Sequence, residues 1–287
     1  MNKLALSFLA LGIIGLSCTQ ASSVMSSVKE TITESISKAS SKIDTNGTTI
    51  QTRFIAPDGF SRISVANNSF GAHLRQLPLK PQGSLVKHFD GTTKQNYEVY
   101  EAVVDLPIGK RNLHQCADAV MRLKADHLYQ TKQFDKIHFN FTNGFRVDYK
   151  EWMKGRRVVI KGNKTYWNNR NAPSNTQKDY WKYMELIFSY AGTLSLNKEL
   201  KPVDVKNMKI GDVFIQGGSP GHAIIVVDMV KNESTGKTKF LLAQSYMPAQ
   251  EIQILKNPKN NDSPWYDLEF GDVLNTPEWT FYKSVYW

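Results

Sequence analysis

Gly211–Met229 reads G-D-V-F-I-Q-G-G-S-P-G-H-A-I-I-V-V-D-M, and Leu241–Gln250 reads L-L-A-Q-S-Y-M-P-A-Q. Val213–Ile215 is a short apolar strand, Gly217-Gly218-Ser219-Pro220-Gly221 is a run of turn residues, and Ala223–Val227 is an unbroken apolar, β-branched strand. His222 therefore stands at the mouth of a buried strand. After a polar turn over Asn232-Glu233-Ser234-Thr235-Gly236, Phe240–Ala243 forms a second apolar strand antiparallel to the first. That hairpin returns Gln244 towards His222, with the register open by a residue or two. A histidine backed by a side-chain amide is half of a nucleophilic site and needs a nucleophile.

Cys116 is the candidate. The chain holds two cysteines among 287 residues, Cys18 and Cys116. Met1–Ser17 places Lys3 ahead of the apolar run Leu4–Leu16, which is short for a bilayer span and has the layout of a secretory signal. Cys18 follows Gly15-Leu16-Ser17, a lipobox-like tripeptide, so it is either lipidated or lost with a cleaved signal. Cys116 is left without a disulfide partner in an oxidising compartment. It reads as a small buried hydrophobe or as a reactive thiol. Asn112 is the expected N-cap of a helix carrying Leu113, Cys116, Ala117, Val120, Leu123 and Leu128 on one face. Free amides and the helix dipole at that end favour thiolate. His114 and His127 flank it and read as surface residues.

With 41% apolar residues, 6 Trp, 12 Tyr and 14 Phe, the chain can bury a full core. A net charge of +10 suits an anionic partner such as an envelope polymer or lipid head groups. The 36 Lys and Arg are dispersed and no nucleic-acid motif accompanies them. The Ser-, Thr- and Lys-rich residues 18–51 read as a tether, with a partner helix as the alternative. A single α+β domain is expected over 52–287, opening at R-F-I-A-P-D-G-F around Phe54. Strands are expected at Tyr97–Leu106, Arg156–Lys161, Glu251–Leu255 and Trp279–Val285. Ser174-Asn175-Thr176-Gln177 has the pattern of a capping box ahead of a helix bearing Tyr180, Trp181, Met184, Ile187 and Phe188, aromatics that form either core or a ligand groove. His73 and His88 have no neighbours at ligand spacing, and no H-E-x-x-H or Cys-rich knuckle is present. No metal and no cofactor are expected.

Cys116 on a helix, His222 opening a strand and Gln244 on the next strand resemble, in that order, the papain-like cysteine amidases of bacterial envelopes, the NlpC/P60 and CHAP families. Gly211-Asp212 followed by Gly221-His222-Ala223-Ile224 is similar to the G-D…G-H-V-A-I pattern of CHAP domains, although Ala-Asp follows Cys116 and Gln244-Ser245-Tyr246 stands where Glu and Asn are common. The G-G-S-P-G-H-A-I-I-V-V-D-M and A-Q-S-Y-M-P-A-Q stretches also resemble the bacterial family known as domain of unknown function 4846. The papain-like resemblance implies a helix packed on an antiparallel sheet and acyl transfer. Cys116 would attack an amide carbonyl, His222 shuttle the proton and Gln244 orient the imidazole. The Cys116 amide and the Gln115 side chain would hold the oxyanion, and Ser245 and Tyr246 would contact substrate. For an exported basic protein the expected substrate is a peptidoglycan stem peptide, met in the periplasm or at the cell surface from a lipid anchor on Cys18. A non-catalytic lipoprotein binding a glycan or peptide in an aromatic cleft is the alternative.

Overall fold

His222–Lys231 forms the central strand of the main sheet, and nine of its ten residues are buried. A strand covered on both faces needs such a run, because alternate side chains enter two different cores. Ala223, Ile225, Val227 and Val230 pack with the helices, among them Ala117, Met121 and Leu123. Ile224, Val226 and Met229 pack on the other face with Phe214, Phe240, Leu242 and Phe281. The register slips once, Leu241 opposing Asp228 and Leu242 opposing Val226, so Val227 has no partner of its own. Asp228, fully buried, takes Arg75 Nε at 2.5 Å and Arg62 Nε at 2.8 Å.

The computed structural model describes residues 43–162, 164–282 and 285–286. Among these the architecture is α+β, with the main antiparallel sheet curled into a half-barrel. Its strands run in the order Tyr100–Val103, Gln253–Leu255, Thr238–Gln244, His222–Lys231, Val213–Gln216, Val285–Tyr286 and Pro202–Val203; Ser61–Arg62 adds to the His222 strand and Tyr266–Asp267 to the Thr238 strand. The expected last strand is divided: Thr280–Tyr282 pairs with Val273–Asn275 in a hairpin of its own, and Val285–Tyr286 joins the main sheet.

The helix Cys116–Gln130 lies against the central strand. It starts later than Asn112 suggests. Asp118 Oδ2 accepts from the Gln115 N–H at 2.9 Å, which makes Gln115 the N-cap and Cys116 the first helical residue. Asn112 Oδ1 is taken by the Ala249 N–H at 2.8 Å. The second long helix, Gln177–Tyr190, is capped by Thr176, whose Oγ1 accepts from Asp179 N at 3.2 Å, in place of the expected Ser174. Tyr180, Met184, Ile187 and Phe188 are buried in the helical core.

The folded unit begins before the expected boundary at Thr52. Ile43 bridges to Phe54, Thr49 bridges to Pro78, and both Ile50 and Phe54 are fully buried. The expected signal segment Met1–Ser17, Cys18 and the tether as far as residue 42 lie outside the described residues.

Candidate active site

Two glycines fix the strand mouth. Gly211 has φ +101°, and a Cβ there would come within 2.8 Å of the Phe70 ring. Its N–H donates to Val226 O at 2.8 Å, and Asp212 O accepts from Val226 N at 2.9 Å, which ties the Gly-Asp turn to the central strand. Gly221 meets the helix Thr193–Glu199 so closely that a Cβ would lie 2.4 Å from Thr193 Oγ1. His222 therefore enters the sheet from a turn packed closely against the helix Thr193–Glu199.

The hairpin brings His222 and Gln244 together, with imidazole Nε2 hydrogen-bonded to Gln244 Oε1 at 2.8 Å. Gln244 Nε2 donates in turn to Glu278 Oε2 at 2.6 Å, and the same oxygen accepts from Lys94 Nζ at 2.6 Å. Tyr246, Trp279 and Phe281 enclose the imidazole at ring-centroid distances of 4.9, 5.2 and 5.9 Å. Trp279 Nε1 donates to Gln216 Oε1 at 3.3 Å, and the Lys94 ammonium lies 5.5 Å from the Tyr246 ring centre. Burial holds the His222 pKa down to about 4, helped by the charge of Lys94 and opposed by the Gln244 hydrogen bond. At neutral pH the ring is uncharged, and Nδ1 makes no hydrogen bond among the described residues.

Cys116 is 7% exposed and lies beside the same strand mouth. The backbone groups of Ala223, Ala117 and Cys116 itself act on the thiol to lower its pKa, which puts it within electrostatic reach of the residue that follows His222. Tyr246 feels it as well: burial, Glu278 and Cys116 together push the phenol up. No hydrogen bond joins Cys116 to His222. The lowered thiol pKa expected from the helix N-terminus is reversed. Burial pushes the Cys116 thiol up, the three amides pull it down, Asp118 adds to the rise, and burial wins. The Asp118 carboxyl is itself raised to about 8 by burial.

The remaining expected site residues divide. Tyr246 faces the imidazole, half-buried. Ser245 does not face the site: its Oγ lies 2.7 Å from Gln250 O and 3.0 Å from His114 O, joining the end of the Gln244 strand to the segment ahead of the Cys116 helix. The Gln115 side-chain amide donates to Asn112 Oδ1 at 3.3 Å. His114 and His127, expected at the surface, are buried. His114 Nδ1 lies 3.3 Å from Gln250 O, and His127 packs against His73 and Phe70. Among the described residues no group of three or more His, Cys, Asp or Glu is placed to hold a metal, and no helix is long and apolar enough to cross a membrane.

Lys94, Glu278 and Trp279 were not expected. Each comes from a loop or turn without periodicity, and only the Thr276-Pro277-Glu278-Trp279 turn pattern marks the place of two of them. A shallow groove of about 590 Å³ adjoins the site, lined by Gln216, Thr276, Glu278, Trp279, Thr280 and Tyr282, the last 76% exposed.

No curated protein and no solved structure matches the chain. The model of the family described as Domain of unknown function (4846) matches residues 50–286, and the chain belongs to that family.

Proposed function

We propose that the protein is an exported cell-envelope cysteine hydrolase of papain-like design that cleaves an amide bond of peptidoglycan stem peptides through an acyl-enzyme. One observation carries the reading: Cys116 is the first residue of a helix and is influenced by the backbone of Ala223, the residue after His222, while Gln244 occupies Nε2 of that histidine and leaves Nδ1 to serve as base. Both groups are neutral at rest, so activation is by general base and not by a standing thiolate–imidazolium pair. Nδ1 takes the thiol proton as sulfur attacks the carbonyl carbon, and returns it to the departing amine as the C–N bond breaks. Water then attacks the thioester, giving a carboxylic acid and the free thiol. The Cys116 amide stabilises the oxyanion, with the Gln115 side chain turning in when substrate arrives. Sulfur and Nδ1 close to hydrogen-bond distance in the substrate complex, as catalytic contacts commonly tighten there. The groove of Gln216, Trp279 and Tyr282 takes the chain flanking the scissile bond. The net charge of +10 draws the protein to an anionic polymer, and the Cys18 lipid holds it at the membrane, facing the periplasm.

A second reading rests on the burial of Cys116 and His222, at 7% and 1% exposure, and on two pKa values moved away from reactivity. It makes the protein a non-catalytic lipoprotein that binds a glycan or stem peptide on Trp279 and Tyr282. The test is incubation of the full chain with purified stem peptides and mass spectrometry of the products. The hydrolase reading expects a new amine and carboxylate, lost by at least about 1000-fold in Cys116→Ala and His222→Ala. Binding without cleavage, equal in parent and Cys116→Ala, overturns it in favour of the second reading.

A further inference from the structure

Glu278 accepts from Gln244, the residue hydrogen-bonded to the His222 ring, and so bears on which ring nitrogen holds the proton. The steps are set by donor and acceptor capacity alone. Lys94 can only donate and an ionised Glu278 can only accept, so the 2.6 Å contact between them fixes an acceptor oxygen beside Gln244. Their side chains are 6% and 12% exposed, which leaves little water to substitute for either partner. The Gln244 amide has one donating and one accepting end. With a carboxylate oxygen 2.6 Å away, its NH₂ must turn to Glu278, because the reverse orientation sets two acceptor oxygens against each other. Gln244 Oε1 then faces the imidazole at 2.8 Å, and Nε2 of His222 must carry the hydrogen. The lone pair is left on Nδ1.

We propose that the Lys94–Glu278 pair is a positioning device that sets the Nε2–H tautomer of His222 by dictating the orientation of the Gln244 amide. The inference rests on the hydrolase reading only for the use made of Nδ1; the tautomer itself is a property of the resting protein. Without Glu278 the amide is free to present NH₂ to the ring, which accepts it on Nε2, moves its hydrogen to Nδ1 and loses the base.

The experiment uses the full chain with ¹⁵N-labelled histidine and long-range ¹H–¹⁵N correlation spectra, which distinguish the two tautomers by the shifts of the ring nitrogens. The His222 signals are identified by their loss in His222→Asn. Parent protein at pH 7 is expected to show Nε2–H. Glu278→Met removes the acceptor and is expected to give Nδ1–H or a mixture. Glu278→Gln keeps an oxygen that accepts from both Lys94 and Gln244 and is expected to restore Nε2–H. In the double variant Glu278→Gln, Lys94→Met, a neutral pair of similar volume, no ammonium dictates which end of residue 278 faces Gln244, and mixed tautomers are expected. The double variant decides the matter should Glu278→Met not fold. A parent in the Nδ1–H form, or Nε2–H retained unchanged in folded Glu278→Met or in the double variant, overturns the proposal. Stem-peptide cleavage measured on the same samples keeps the two ideas apart: an Nε2–H parent that shifts on mutation but cleaves nothing removes the hydrolase reading and leaves the positioning role standing.

Discussion

Replacing Asp118 by asparagine is expected to stabilise the protein, by an amount that grows with pH. Asp118 is 5% exposed, Oδ2 accepts from the Gln115 N–H, and Oδ1 is buried without a partner. Burial raises its pKa from 3.8 to about 8. In the unfolded chain the carboxyl ionises near pH 4; in the folded chain it holds its proton up to about pH 8. Unfolding between those values releases a proton, so stability is greatest below pH 4 and falls as pH rises. At pH 7 the loss is roughly (7 − 3.8) × 1.36, about 4 kcal/mol, and it levels off near 6 kcal/mol above pH 8. Asparagine keeps the oxygen that caps Gln115 and carries no charge to bury. Urea unfolding of parent and Asp118→Asn from pH 4 to 9 should show curves that coincide at pH 4 and diverge by several kcal/mol at pH 8. A difference that stays flat across this range would refute the buried-carboxyl argument. The thiol supplies a second readout: with the anion gone, Cys116 should alkylate faster in Asp118→Asn above pH 8.

Further outcomes follow from the same contacts. With Cys18 replaced, Cys116 in the folded parent should react with iodoacetamide at pH 7 more slowly than in the unfolded chain, because burial raises its pKa and covers it. Labelling as fast as a free thiol would contradict its placement. His222 and His114, held down to about 4 and about 3, stay neutral while the unfolded chain takes up protons below pH 6.5. Stability from these groups is present above pH 6.5 and lost as pH falls, by about 2 kcal/mol per histidine at pH 5. His222→Asn should remove one such share from the acid limb of an unfolding titration. Asp228→Ala leaves Arg62 and Arg75 uncompensated in the core and should cost about 3–5 kcal/mol in urea melts. Gly211→Ala, at φ +101° against Phe70, should cost about 1–3 kcal/mol in the same assay.

What the sequence discloses and what it withholds divide along the range of the interactions. The hairpin is local: an apolar run, a polar turn and a second apolar run put Gln244 back beside His222, and the structure closes that contact at 2.8 Å. The helix start is also local, but its cap is not. Asn112 has the chemistry to cap, and a backbone amide 137 residues away claims its oxygen, so the helix begins at Cys116 under Gln115 and Asp118. Lys94 and Glu278 lie 184 residues apart in loops, where no period marks either. The thiol shows the limit most clearly. A helix N-terminus, visible in sequence, argues for thiolate, whereas burial is decided by whatever the rest of the chain lays over Cys116. Here the lid is large, and it reverses the sign. That reversal constrains the chemistry left to the site. In the proposed mechanism a neutral thiol and a neutral imidazole exchange one proton without changing the net charge of a buried site, so the pair would avoid most of the cost of burying charge until a substrate carbonyl arrives. In the proposed hydrolase that exchange needs the imidazole lone pair on Nδ1, and the role proposed for Gln244, held in turn by Glu278 and Lys94, is to keep the ring hydrogen on Nε2.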